Sequence, residues 1–377
     1  MNDILQSVNL SRLLDAIFIF VGFTVTLFAA ARFLPGKIYQ SRYTEADGTK
    51  KSYKLNGLIL FGLVTFLIGI STLLFNWSLA FIHQYFWELL IVANGFALAW
   101  TLVLYLGGKQ RQDLNSQPNH KELSEKISLG KLFGDLWLGV ELNPTWLGVD
   151  LKFFAYQPSL IGLGLLNTSF AYVQYETYGQ VSLQMWLFEI FWWTYLASHY
   201  YYEECALSMW DIIAERFGFM LIWGDLVLVP FFYSIAGWFL IDKISPLPIA
   251  IVIGICLLYC FSLWLFRGAN LQKHRFKKDP NAEIWGKPAQ SLQGKLLISG
   301  WWGVGRKLNY TGEIGVYLAI ALTTGTQSIV PYLLPLWLCS LLIHRSWRDE
   351  QRCRAKYGKL WETYCDRAQF RMIPFLY

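Results

Sequence analysis

The chain contains 377 residues, of which 55% are hydrophobic, 18% aromatic and only 15% charged. An average soluble domain is about 45–50% apolar and about 25% charged, so this composition excludes an ordinary soluble enzyme. The formal net charge of +6 is confined to short loops between apolar segments, which excludes a nucleic-acid-binding domain. The six cysteines include no CxxC pair and no histidines at zinc spacing, so the sequence predicts neither a disulfide framework nor a metal site.

Apolar runs recur along the chain from Leu13 to Ile343. Runs of about 17 to 25 residues are long enough to cross a hydrocarbon core about 30 Å thick. The first run is too long for a signal-peptide core and lacks a small-residue cleavage site, so we expect it to remain as a membrane anchor. The sequence therefore predicts an all-α, polytopic integral membrane protein with about nine to ten transmembrane helices. The predicted spans are 13–34, 58–82, 86–107, 158–175, 183–202, 217–241, 244–266, 311–325 and 328–343.

Lysine and arginine are concentrated in the loops after the first and third spans, in the stretch 267–307 and in the tail after His344. Short cytoplasmic loops carry such an excess, so we expect these stretches to face the cytoplasm. The charge near the N-terminus is too small to place that end. Apolar residues recur at helical spacing among the charges of the tail: Cys353, Tyr357, Leu360, Trp361 and Tyr364. This spacing predicts a cytosolic amphipathic helix.

Ionisable residues within or beside the predicted spans are costly in lipid and point to function. Glu189 and Asp225 lie inside predicted spans, and Glu203 closes the fifth span beside His199. Together they indicate a polar pocket with aromatic walls. For each of them, a structural pairing is the alternative.

Basic residues from distant segments form a second candidate site. Lys273 and Lys277 share one stretch, Arg306 follows the segment 300–305, and Arg345 begins the tail. If they converge, they would clamp a polyphosphate; plain cytoplasmic topology is the alternative. The Gly-x-x-Gly-x-Gly pattern of 300–305 does not follow a strand of a βαβ unit, so we exclude a Rossmann domain.

Residues 295–313, KLLISGWWGVGRKLNYTGE, resemble the signature of the sterol reductases. This family includes Δ14-, Δ7- and Δ24(28)-reductases. The tail 344–364, continued by Arg371-x-x-Pro374, resembles the C-terminal motif of the same family. Residues 141–144, ELNP, are similar to a further block. The match extends from about residue 137 to the end of the chain.

This resemblance implies an all-helical membrane enzyme that reduces a sterol carbon–carbon double bond with NADPH, held in a cytosol-facing pocket. It implies an N-terminal part, 1–136, and a catalytic part, 137–377, within one integrated membrane domain. The implied nucleotide contacts are Lys273, Lys277, Leu297, Trp302, Asn309, Tyr310, Arg345, Asp349, Cys353, Lys356, Tyr357 and Tyr364.

Reduction of an isolated alkene requires an acid that stays protonated near neutral pH, and burial raises the pKa of a carboxyl or a phenol. The resemblance implies Tyr195 and Asp349 as the acids, with Glu203 as a supporting carboxyl. Aromatic faces nearby would stabilise a developing carbocation.

Differences at single residues indicate which sterol double bond is reduced. Ring-reducing members usually carry an aspartate three residues after the tyrosine that matches Tyr195, where this chain has Ser198. Residues 203–205 and 210–211 are more similar to the side-chain branch, whereas 224–225 resemble the ring reductases. We therefore slightly favour the side-chain C24 position, with a Δ14 or Δ7 ring double bond as the alternative.

Two other classes of function stay open. An isoprenylcysteine carboxyl methyltransferase-like enzyme shares part of the tail pattern, and a non-enzymatic sterol-binding membrane protein would keep the fold without the activity. The expected partners are a sterol substrate and membrane lipid, with no nucleic acid, and the sequence does not define the oligomeric state. We expect the endoplasmic reticulum membrane in a eukaryote and the inner membrane in a bacterium.

Overall fold

The computed structural model describes residues 9–44, 50–115 and 129–373, and most of these residues are helical. Pro374, the last residue of the tail motif, lies outside the described residues. A π-helical segment, Gly224–Phe232, follows the short helix Phe219–Trp223, and a 3₁₀ turn, Val330–Tyr332, precedes the helix that begins at Leu333. The helices are α1 (Leu10–Phe33), α2 (Gly57–Phe75), α3 (Ala80–Gln84), α4 (Phe86–Asn115), α5 (Leu129–Leu138), α6 (Leu151–Tyr178), α7 (Leu183–Tyr201), α8 (Glu203–Ala206), α9 (Trp210–Ile213), α10 (Phe219–Trp223), α11 (Ile235–Leu240), α12 (Ile249–Lys278), α13 (Trp301–Val304), α14 (Leu308–Leu322), α15 (Leu333–Tyr357) and α16 (Lys359–Arg367).

Short antiparallel hairpins, which the sequence did not predict, lie between the helices of this mostly helical chain. Their strands pair as β1 (Lys37–Thr44) with β2 (Lys50–Leu55), β3 (Thr145–Trp146) with β4 (Val149–Asp150), β5 (Glu283–Ile284) with β6 (Lys287–Pro288), and β7 (Ser291–Leu292) with β8 (Leu296–Leu297). The tight turn between β5 and β6 holds Trp285 and Gly286 at φ values of 52° and 73°, a conformation that glycine adopts readily. Strands of two residues are too short to show an alternating pattern in the sequence.

Every predicted span overlaps helical structure. Within the described residues, five helical segments are long and apolar enough to cross a membrane: Leu10–Phe33, Gly57–Phe75, Phe86–Gln112, Phe219–Leu240 and Ile249–Lys278. The chain is therefore a membrane protein, and the total of nine to ten spans stays a prediction.

Several predicted boundaries differ from the observed helix ends, and two of these differences have a clear cause. The second span, drawn as 58–82, ends at Phe75 because Asn76 adopts a left-handed conformation with φ 50°. The seventh span, drawn from residue 244, begins later, because Pro248 caps the helix that starts at Ile249.

The basic tail is helical, as its spacing predicted. Helix α15 continues from the apolar segment into the tail and ends at Gly358, whose φ of 52° separates it from α16. Trp361 and Tyr364 of α16 are buried and pack against Leu292 and Leu296 of the β7–β8 hairpin. This face of α16 is therefore covered by protein. Its cytosolic location stays a prediction.

The chain forms two compact units, Met1–Gln180 with Leu196–Ser234 and Val181–Tyr195 with Ile235–Tyr377. In the first unit, Leu27, Phe154 and Tyr200 belong to one buried cluster. The proposed division between residues 136 and 137 stays a prediction.

In the second unit, α12 and α14 approach each other at backbone distance. A Cβ atom on Gly312 would lie 2.5 Å from the backbone nitrogen of Phe266, so no larger side chain fits there without displacement of a helix. This close approach fixes the side chains of α14 against those of α12. Both helices carry residues of the candidate site.

Candidate functional site

Trp302, on α13, contacts residues of α12 and α16 in the second unit. Its side chain is buried, its indole Nε1 donates to the carbonyl oxygen of Ala269 at 2.8 Å, and its own carbonyl accepts from the Tyr364 hydroxyl at 3.3 Å. The Lys273 ammonium lies over the indole ring, 4.6 Å from its centroid. Leu297 packs in the same buried cluster as Trp302. The structure thus brings together four residues that the sequence assigned to nucleotide binding.

A second lysine lies near Lys273. Lys307 precedes α14 and donates a hydrogen bond to the carboxylate of Asp349 on α15, and the Lys307 side chain is only 6% exposed. Burial and the repulsion from the Lys273 ammonium lower the pKa of Lys307, while the charges of Cys353 and Glu350 oppose this shift. Cys353, half-buried on α15, also interacts electrostatically with both lysines.

Asn309 and Tyr310 lie in the first turn of α14. The Asn309 Nδ2 donates to the Asn270 Oδ1 at 3.2 Å, whereas the buried Asn309 Oδ1 has no hydrogen-bond partner among the residues that the structure describes. The Tyr310 ring centroid lies 5.9 Å from the Lys307 Nζ. An unpaired buried oxygen is costly, which makes Asn309 suited to accept a hydrogen bond from a ligand.

The remaining predicted contacts are more peripheral. Lys277 is exposed near the end of α12, and Lys356 is exposed near the end of α15, where its ammonium lies 5.2 Å from the Tyr357 ring centroid. Arg345 is half-buried on α15.

Arg306 does not belong to a phosphate clamp, which corrects one part of the sequence interpretation. Its guanidinium forms an ion pair with Glu350 at 3.2 Å and donates to the carbonyl oxygens of Ala368 and Gln369. Glu350 also pairs with Arg371 at 2.9 Å. The Arg306 donors are therefore used to hold the C-terminal segment.

Tyr195, the predicted acid on α7, is buried in the second unit among aromatic rings and charged groups. Its hydroxyl oxygen accepts from the Tyr317 hydroxyl at 3.4 Å, and its side chain is hydrogen-bonded to Glu313. The Arg267 guanidinium carbon lies 5.2 Å from the centroid of the Tyr195 ring, and the Phe266 ring stacks on it at 6.1 Å.

The sequence interpretation missed Glu313, Tyr317 and Arg267 as partners of Tyr195. Glu313 and Tyr317 are four residues apart on α14, so their shared helix face was a signal that pointed to a polar stripe. No sequence signal connected this stripe with Tyr195, which is more than a hundred residues away.

The other candidate carboxyls have separate surroundings. In the first unit, the Gly57 N–H lies 3.1 Å from each carboxylate oxygen of Glu203, and burial raises the pKa of Glu203 to about 7. In the second unit, Glu189 accepts a hydrogen bond from the Trp193 indole at 3.0 Å, which is the structural pairing named as the alternative.

We expect Glu203→Gln to remove a pH-dependent loss of stability. Folding raises the Glu203 pKa from its ordinary value of 4.5 to about 7, so the folded state binds this proton more tightly than the unfolded state. The contribution of Glu203 to the free energy of unfolding is therefore fully present below pH 4.5 and is lost as the pH rises through 7. Because glutamine does not titrate, the variant should exceed the wild type at pH 8 by about 1–3 kcal/mol in unfolding free energy.

The measurement is the apparent melting temperature in detergent between pH 5 and pH 8. Glu204→Gln, which changes the neighbouring and more exposed carboxyl, is the matched control and should keep the wild-type pH dependence. Parallel curves for wild type and Glu203→Gln would show that this carboxyl does not titrate as described.

Within the described residues, no group of three or more histidine, cysteine, aspartate or glutamate side chains is arranged to hold a metal ion.

These features define a helical membrane protein whose C-terminal helices carry a cluster of two lysines with Trp302 and, in the same unit, a buried tyrosine. The chain belongs to the ergosterol biosynthesis ERG4/ERG24 family, whose sequence model matches residues 5–377. The resemblance to the sterol reductases is thereby confirmed and covers the N-terminal part as well. The expectation of an oxidoreductase of this family is also confirmed.

Individual relatives agree with this assignment. The chain is 38% identical over 364 residues to a Delta(14)-sterol reductase of Arabidopsis thaliana, which covers 97% of this chain and 96% of that protein. It is 36% identical over 340 residues to a Delta(14)-sterol reductase of Methylotuvimicrobium alcaliphilum, with coverages of 88% and 76%. It is 35% identical over 263 residues to a 7-dehydrocholesterol reductase of Xenopus laevis, with coverages of 66% and 56%.

Proposed function

We propose that the chain is an NADPH-dependent Δ14-sterol reductase. The observation that carries this proposal is the similarity to the Arabidopsis Delta(14)-sterol reductase over almost the full length of both chains. The slight preference for the side-chain C24 position gains no support from the relatives described above, whose names refer to ring double bonds. A Δ7 ring double bond is the second candidate, supported by the 7-dehydrocholesterol reductase.

The residues of the second unit fit an anionic dinucleotide. Among the described residues, no carboxylate forms an ion pair with the half-buried Lys273, and Lys307 places a second positive charge nearby. The unpaired Asn309 Oδ1 offers an acceptor to an amide or hydroxyl donor. We therefore assign phosphate binding to the two lysines and polar recognition to Asn309.

The bound nicotinamide cofactor would supply a hydride to one carbon of the alkene. This chain must first supply a proton to the other carbon and must exclude water from the carbocation that exists until the hydride arrives. Tyr195 is the better proton donor of the two predicted acids, because the Asp349 carboxylate is already engaged as the acceptor of a hydrogen bond from Lys307. Asp349 then serves to hold Lys307 in the cofactor site.

The function is tested by turnover of purified protein in lipid with NADPH and, separately, sterols with a Δ14, Δ7, Δ24 or Δ24(28) double bond. We expect the Δ14 sterol to give the highest kcat/KM, with products identified by mass spectrometry. Turnover of the Δ7 sterol alone would select the second candidate, and turnover of a Δ24 sterol alone would contradict both.

A binding measurement separates the reductase from the methyltransferase-like alternative. A ligand that binds only the folded state raises the melting temperature by mass action. We expect NADPH, and not S-adenosylmethionine, to stabilise the protein. The opposite result would favour the methyltransferase.

We expect Lys273→Met to weaken NADPH binding by at least about tenfold, because a charge-assisted hydrogen bond to phosphate contributes about 1.5–3 kcal/mol. Methionine preserves much of the length and the apolar contact with Trp302 while removing the charge. The dissociation constant is measured by isothermal titration calorimetry in detergent. Lys278→Met, an exposed position at the end of the same helix, is the matched control and should bind normally. Equal affinities for both variants would remove Lys273 from the site.

We also infer that the cofactor pocket faces the cytoplasm, in the endoplasmic reticulum membrane of a eukaryote or the inner membrane of a bacterium. The basic stretch 267–307 and the basic tail support this orientation, because positive charge accumulates in cytoplasmic loops. A sterol substrate would enter from the surrounding lipid.

A further inference from the structure

Three polar residues follow one face of α14 at intervals of four: Asn309, Glu313 and Tyr317. Residues four apart lie next to each other on a helix, so the three form a continuous stripe. Its first member contacts Asn270 beside the proposed cofactor residues, and its last member contacts Tyr195. The stripe therefore connects the cofactor end of α14 with the proposed proton donor.

The hydrogen bonds around the Tyr195 hydroxyl have a defined direction. Its oxygen accepts the proton of the Tyr317 hydroxyl, and its side chain is also bonded to Glu313. A phenol carries a single hydrogen, so the Tyr195 hydrogen is directed to the Glu313 carboxylate in the resting state. Glu313 is thus a proton acceptor in hydrogen-bond contact with the proposed acid.

Each turnover leaves Tyr195 without its proton. The side chain is only 7% exposed, so the phenolate has little direct access to bulk water. The Arg267 guanidinium, 5.2 Å from the ring centroid, would stabilise the negative charge only until a proton returns. Glu313 is half-buried, and is therefore more accessible than Tyr195.

We propose that Glu313 is the relay that reprotonates Tyr195 after each reduction, an inference that rests on the proposed function. After the reduction, the Glu313 carboxylate takes a proton from solvent and gives it to the Tyr195 phenolate, so the new Glu313 O–H bond breaks as the Tyr195 O–H bond forms. Glu313 thereby returns to the carboxylate of the resting state. One solvent proton and one hydride from the nicotinamide cofactor are consumed for each alkene, and charge and electrons balance.

The first test is Glu313→Gln, which keeps the size of the side chain and removes its acid. We expect kcat for the Δ14 sterol to fall by about tenfold to a hundredfold, because a positioned proton-transfer group contributes on that scale. The KM for sterol and the dissociation constant of NADPH should stay unchanged, a split that a general structural defect would not produce. Glu313→Asp, which restores an acid, should recover part of kcat.

Glu362→Gln is the matched control, because Glu362 is exposed on α16. It should retain wild-type kcat. Wild-type kcat in both Glu313→Gln and the control would overturn the relay while leaving the sterol reductase intact. Absence of sterol turnover in the wild type would instead overturn the proposed function, and the relay with it.

A measurement on the unaltered protein covers the case in which Glu313→Gln does not fold. Single-turnover and multiple-turnover rates are compared in mixtures of H₂O and D₂O. A relay predicts that the multiple-turnover rate depends on two exchangeable protons, which gives a curved rather than a straight dependence on the deuterium fraction. A straight dependence, or none, would contradict the relay.

Discussion

Replacement of Tyr195 by phenylalanine is expected to lower kcat for sterol reduction by about 10²- to 10⁴-fold, the range typical of a lost general acid. Phenylalanine keeps the aromatic ring in contact with Phe266 and the Arg267 guanidinium. Only the hydroxyl that accepts from Tyr317 is lost. The effect should therefore appear in kcat, while NADPH binding and the sterol KM stay near their wild-type values.

The matched control is Tyr201→Phe on the same helix. The Tyr201 side chain is 69% exposed, so loss of its hydroxyl should leave kcat unchanged. Steady-state kinetics with the Δ14 sterol measures both variants. If Tyr195→Phe turned over at the wild-type rate, the proton would come from another group, and Asp349 would become the first alternative.

Glu350→Leu is expected to destabilise the protein by about 3–5 kcal/mol, because removal of one partner leaves buried charge uncompensated. The Glu350 side chain is 6% exposed and accepts from Arg306 and Arg371, which belong to different segments of the second unit. Leucine would leave the Arg306 guanidinium buried with only the carbonyl oxygens of Ala368 and Gln369 as partners.

The measurement is the apparent melting temperature in detergent, supported by the yield of folded protein. Glu283→Gln, at an exposed position of β5, is the control and should change stability by less than about 0.5 kcal/mol. A Glu350→Leu variant as stable as this control would show that the arginines find other partners.

The helical part of the fold could be predicted because lipid requires long apolar segments whose backbone groups are paired within the helix. Amino-acid composition reflects that requirement, and it located α1 and α7 closely. The hairpins could not be predicted in this way, because the turn at Trp285 and Gly286 depends on backbone conformation at two residues. The end of α2 was missed for the same reason, since a single left-handed residue, Asn76, stops it inside an apolar stretch.

Part of the candidate site was also readable from the sequence. The resemblance to the sterol reductases named Lys273 and Trp302, and the structure places the ammonium over the indole ring. Side-chain contacts between residues of distant segments could not be predicted from the sequence. Arg306 was assigned to a phosphate because nothing in the sequence showed that Glu350 neutralises it. The contact between Tyr195 and Tyr317 depends on the packing of α7 against α14.

The most direct test of the proposed function is the reduction of a Δ14 sterol by purified protein with NADPH deuterated at the transferable position. The proposed mechanism predicts one deuterium in the saturated product, at one carbon of the former double bond, and one solvent-derived hydrogen at the other. In D₂O with unlabelled NADPH, the deuterium should instead be found at the other carbon of the former double bond, the one that receives the proton. Absence of turnover, or a product that takes both hydrogens from solvent, would contradict it.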